Sequence, residues 1–79
     1  MGAAVLAQTE VDRHVGNRIR TARQNAQISQ AELAQTLGVS IQQIQKYEMG
    51  VNGVQAGQLY RIAAALGVTL QYFFDELQS

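Results

Sequence analysis

The sequence predicts an all-α fold, and three observations carry that expectation. No proline occurs anywhere in the 79 residues, so no helix interior loses a donor to one. Apolar residues recur at helical spacing, most cleanly at Leu59, Ile62, Ala63 and Leu66, which fall at i, i+3, i+4 and i+7. Start and stop signals punctuate the chain at short intervals, with Ser29, Ser40 and Thr69 as starts and Gly38, Gly50 and Gly67 as stops.

Taken in order, residues 1–8 are small and uncapped, and they read as a flexible N-terminal segment ahead of a single folded domain over 9–79. Thr9 with Asp12 three residues on fits a capping box for a first helix over about Glu10 to Ala26. Val15, Ile19, Ala22 and Ala26 form its inward stripe. Gly16 weakens that helix unless a neighbour packs closely against it. The second helix is expected over Gln30 to Leu37 and the third over Ile41 to Met49. Ser29 with Glu32, and Ser40 with Gln43, have capping-box spacing; Ile28 with Leu33, and Val39 with Ile44, have staple spacing. Two capped helices joined by a turn of a few residues make a helix-turn-helix. Gly50 to Gln55 is a loop. The fourth helix spans Ala56 to Leu66 and starts weakly, because Gln55 is a poor N-cap. Thr69 opens a fifth, with Val68 and Phe73 spaced as a staple.

One face of the third helix is hard to explain as core. Gln42, Gln45, Lys46 and Met49 fall at i, i+3, i+4 and i+7, opposite an apolar side formed by Val39, Ile44 and Tyr47. Glutamine amides pair bidentately with adenine in the major groove, and lysine reads guanine or holds a phosphate. A polar face on an isolated helix is usually only solvated. Within a capped helix-turn-helix the base-reading interpretation is favoured.

Composition narrows the function classes. There is no cysteine, which excludes disulfides and thiolate metal sites and suits a reducing cytoplasm. His14 is the single histidine and has no partner ligands, so a metal centre is not expected. No serine has a histidine and an acid at motif spacing, and no glycine-rich phosphate loop is present, so the chain is not expected to be an enzyme. No apolar run approaches a membrane span, and no cofactor or small-molecule ligand is evident. The formal net charge is zero, which is unusual for a nucleic-acid binder. Basic residues are nonetheless clustered: Arg13, Arg18, Arg20 and Arg23 share the first helix, with Lys46 in the third and Arg61 in the fourth.

The chain resembles the Cro/CI-type, or XRE-family, helix-turn-helix domains. The resemblance rests on Ile19-Arg20 and Arg23, on Ser29-Gln30, Glu32-Leu33-Ala34 and Leu37-Gly38-Val39-Ser40, and on Ile44, Glu48 and Gly50. Leu59, Ile62-Ala63 and Ala65-Leu66-Gly67-Val68 complete it. It covers roughly Val15 to Phe74 and implies a compact five-helix bundle of the lambda-repressor type, with the third helix in the major groove of double-stranded DNA. It further implies that Ser40, Ile41, Gln42, Gln45 and Lys46 reach bases, and that Gln30, Gln43 and Arg20 touch phosphates. Arg23 and Glu48 would then form a partly buried ion pair tying the first helix to the third. The sequence departs from the family in the 50–55 loop, where Gly53 and Gln55 stand in place of the usual basic or serine-type residue.

These readings lead to a sequence-specific DNA-binding regulator, expected as a repressor and as a homodimer on a two-fold operator. The apolar excess of Tyr72, Phe74 and Leu77 makes the C-terminal end the candidate dimer contact, against the simpler reading of core closure. The rival function is a protein-interaction module of the same fold, an antitoxin-like or coactivator-like partner, favoured by the neutral charge.

Overall fold

The structure is a computed structural model that describes residues 5–77. It contains four α-helices in the described residues: α1 (Gln8–Asn25), α2 (Gln30–Leu37), α3 (Ile41–Glu48) and α4 (Ala56–Leu66), followed by a short 3-10 helix (Gln71–Phe74). The first half of the segment expected to be flexible, residues 1–4, lies outside the described residues; Val5 to Ala7 are non-helical.

α1 begins two residues ahead of the predicted start. The Thr9–Asp12 capping box does not form. Instead, Glu10 Oε1 accepts a hydrogen bond from the Ala7 N–H at 3.0 Å, which closes the first turn earlier and places Thr9 inside the helix. α1 also ends before Ala26, which is exposed rather than inward. The turn that ends it uses Gln27 at φ 59, with the Ile28 N–H donating to the Arg23 carbonyl at 3.1 Å. This is the Schellman pattern, here with glutamine where glycine is usual.

The helix-turn-helix carries unequal caps. At α2 the box is complete: Ser29 Oγ accepts from the Glu32 N–H at 3.0 Å and Glu32 returns to the Ser29 N–H at 2.8 Å. The Ser29 N–H, and after it the Ser29 hydroxyl, stabilise the ionised form of Glu32 and hold its carboxyl below the ordinary glutamate range. At α3 only half the box exists, because Ser40 Oγ accepts from the Gln43 N–H at 3.0 Å while the Gln43 side chain does not return to the Ser40 N–H.

The core is the interior of one bundle. Val15, Ile19 and Ala22 of α1 meet Leu33, Ala34 and Leu37 of α2, Ile44 of α3, and Leu59, Ile62, Ala63 and Leu66 of α4. Phe73 closes it with no exposed surface. Burying one such side chain contributes about 1.5–3 kcal/mol. Tyr47 packs only partly against this core. Gly16 explains how α1 and α3 lie so close: a β-carbon there would stand 2.8 Å from the Glu48 carbonyl oxygen and would collide with that of Tyr47.

The predicted fifth α-helix is not formed. The chain makes a single 3-10 turn over Gln71–Phe74, and Glu76 leaves it at φ 66. Aromatic residues are indifferent helix formers, and so short a segment gains little from helix propagation. Tertiary contacts set its shape instead. Phe73 enters the core, while Arg18 of α1 donates from Nε to the Tyr72 carbonyl at 3.0 Å and stacks its guanidinium 4.2 Å from the Tyr72 ring centre. His14, one turn earlier, contacts the Asp75 carbonyl at 2.8 Å through Nε2.

Candidate nucleic-acid interface

α3 offers a face without partners from the core. Ile44 and Glu48 are its buried residues, so its opposite side turns outward. Ile41, Gln42, Gln45, Lys46 and Met49 are all exposed, as is Ser40 at the cap. Ile41 and Met49 are large apolar side chains left 42% and 69% exposed, more than a helix in a small bundle needs to leave uncovered. Gln43 is half-buried and stands on a neighbouring side of the helix, beside Asn52, Gln55 and Gln58.

Behind that face lies one polar network. Arg23 reaches across from α1 and donates to Glu48 twice, from Nε at 2.6 Å and from Nη2 at 3.1 Å. Its Nη1 holds the Ile28 carbonyl at 2.9 Å, which also fixes the entry to α2. Gln30, first residue of α2, donates to Glu48 Oε1 at 3.0 Å and accepts from Gln45 Nε2 at 3.4 Å. The bonds link Arg23, Glu48, Gln30 and Gln45 in that order, with Glu48 the buried member and Gln45 the exposed end. Glu48 is fully engaged inside and is not presented to a ligand. Arg20 and Met49 flank the same groove.

The structure thus brings Gln30, Gln45 and Arg20 to one groove, with Lys46 exposed on α3 next to Gln45. It places Gln43 on an adjacent groove and Ser40 in a capping bond. Tyr72, Phe74 and Leu77 lie apart from this side; Tyr72 is half-buried against Arg18 of its own chain, and Phe74 is 37% exposed. The Gln30–Gln45 bond was not readable from spacing, because it spans two helices whose relative angle the sequence does not state.

Cations are partly consumed by the fold. Arg18 approaches Asp75 at 3.9 Å, Arg23 pairs with Glu48, and Arg61 donates to the Leu37 carbonyl at 3.3 Å, satisfying the end of α2. Among the described residues, Arg13, Arg20 and Lys46 are exposed and make no ion pair.

Comparison with known proteins agrees with this geometry. The family profile HTH_3, described as helix-turn-helix, matches residues 19–73. A transcriptional regulator in the ATPase CF(0) region of Rhodospirillum rubrum is 52% identical over 68 residues, spanning 86% of this chain and 63% of that protein. This chain covers about half of other curated relatives. Among solved structures, the clp gene regulator ClgR from Corynebacterium glutamicum shares the fold at TM-score 0.78 and 23% identity, over 81% of this chain and 68% of its own. The biofilm master regulator SinR, solved in complex with DNA, aligns at TM-score 0.71 and 26% identity, over 77% of this chain and 98% of its own.

Proposed function

The chain belongs to the Cro/CI-type, or XRE, helix-turn-helix family, and on that premise we propose that it is a sequence-specific DNA-binding regulator. α3 enters the major groove, with Gln42, Gln45 and Lys46 reading base edges and Ile41 meeting a thymine methyl. Gln30, Gln43 and Arg20 hold the backbone, and Ser40 lies at the edge of the contact. The observation that carries this reading is the outward polar face of α3, anchored from behind by the buried Arg23–Glu48 pair. SinR, which shares the fold, is in complex with DNA in its own structure, and that supports the same use of the fold here. The protein acts without catalysis, in the cytoplasm, as a repressor. It binds as a homodimer through the Phe74 and Leu77 end, with α3 helices about 34 Å apart on a two-fold operator. Among the described residues no helix is long and apolar enough to cross a membrane. Selection of bound sequences from random duplexes, followed by a salt-dependent gel shift, tests the proposal. Recovery of a two-fold motif whose binding weakens steeply with salt supports it; no shift at low salt contradicts it.

One observation favours a second reading. Half of the six cations are held by partners within the chain, which suits a protein-interaction module better than a strongly electrostatic binder. A protein partner captured in the absence of any DNA shift distinguishes the two.

A further inference from the structure

Asp12 takes no part in capping α1; its carboxylate lies on the loop between α3 and α4. A β-carbon built on Gly53 would stand 3.2 Å from both Asp12 carboxylate oxygens. A β-carbon on Gly50 would likewise meet the Arg13 backbone at 2.7 Å, so the first half of α1 rests directly on this loop. Asp12 shares a groove with Gln43, Asn52, Gln55 and Gln58. That groove joins three features suited to a phosphate: the Gln43 amide, the loop main chain, and the start of α4, whose N–H groups receive no side-chain cap from Gln55. No cation lies in residues 50–55 to complete it. Asp12 is the one charged residue lining the groove, while the exposed Arg13 beside it lies against Gly50 at the other end of the loop.

Resting on the DNA reading above, we infer that Asp12 is a built-in attenuator of backbone binding, a carboxylate set against the phosphate-facing loop that lowers affinity for any duplex. Any side chain at position 53 would start against the Asp12 carboxylate, which would have to give way slightly. A long basic side chain there would begin against Asp12 and pair with it, leaving little charge for DNA. The attenuation is electrostatic and indifferent to base sequence. It therefore lowers affinity for selected and random duplexes alike and leaves their ratio unchanged, acting on the sequence-independent share of binding that comes mainly from phosphate contacts.

The test is an anisotropy titration of the full chain on a selected duplex and on a random one. Parent, Asp12→Asn and Asp12→Lys are compared from about 50 to 200 mM salt, the range over which phosphate contacts are most visible. Asp12→Asn is expected to bind both duplexes roughly 3–10-fold tighter at the low end, with the gap closing as salt screens the charge. Asp12→Lys binds tighter still, and its slope of log K against log salt steepens by about one per protomer. Urea unfolding of each variant reports any change in folding. Variants that bind like the parent, or a gap that persists unchanged at every salt concentration, would overturn this inference alone. A parent chain that binds neither duplex would overturn the DNA reading with it.

Discussion

Arg23 reaches Glu48 with two parallel hydrogen bonds, of 2.6 and 3.1 Å, at a point where the two side chains are 11% and 3% exposed. This pair fixes the height and rotation of α3 relative to α1. Shared donors extend the effect: Arg23 also holds the Ile28 carbonyl, and Gln30 also bonds Glu48. Removing one partner strands a charge in a buried place, so Arg23→Met or Glu48→Leu alone should destabilise by about 3–5 kcal/mol. The double variant should be less damaged than the worse single. A double-mutant cycle read by urea unfolding checks this; additive losses under about 1 kcal/mol each would mean the pair contributes no more than a surface one.

Gln27 occupies the left-handed position that closes α1, at φ 59. A glutamine side chain is disfavoured there by roughly 1 kcal/mol relative to glycine. Gln27→Gly is therefore expected to raise stability by about 0.5–1 kcal/mol, a gain partly offset by the greater freedom of glycine in the unfolded chain. Thermal and urea unfolding measure it directly. Gln27→Val should lose stability, since a β-branched side chain tolerates this φ poorly.

The Ser29–Glu32 capping box makes the start of α2 sensitive to acid. The carboxyl of Glu32 is held low in the folded chain by its bonds to Ser29. The unfolded chain therefore takes up this proton first as pH falls. The stabilising contribution is complete above the ordinary glutamate range and is lost as pH drops through it toward the depressed folded value. Unfolding of the parent and Glu32→Gln from neutral to acidic pH should show the parent ahead at neutral pH and the difference shrinking on acidification. A difference that stays constant with pH would remove the carboxylate from the account.

Phe74 is the aromatic side chain of the terminal turn that remains exposed, because Phe73 fills the core and Tyr72 lies against Arg18. If the homodimer forms through this end, Phe74→Asp shifts the sedimenting species toward monomer while leaving the fold intact. A variant that sediments like the parent places the contact elsewhere.

The α-helices and their limits were largely legible in the sequence, because local chemistry sets them. Ser29, Ser40, Gly38, Gly50 and Gly67 act within a few residues of themselves, and the stripe from Leu59 to Leu66 declares its own inward face. Legibility failed where distant contacts decide. Thr9 lost to Glu10 in competition for the start of α1. The segment after Thr69 follows Arg18, His14 and the core rather than its own propensity, so it is a 3-10 turn and not a fifth α-helix. In the candidate site, the outward face of α3 could be predicted from period alone. The placing of Gln30 between Glu48 and Gln45 could not, nor could the approach of Asp12 to Gly53, since each depends on how two elements pack.

The central claim is that the outward face of α3 reads bases, and Gln42 tests it most directly. Its side chain is exposed, outside the Arg23–Glu48 network, so Gln42→Ala leaves folding unchanged. Binding of parent and variant is measured on the selected duplex and on random DNA at one fixed salt concentration. The account predicts a loss of about 1–3 kcal/mol on the selected duplex and almost none on random DNA. An equal loss on both, or no loss on either, would contradict it.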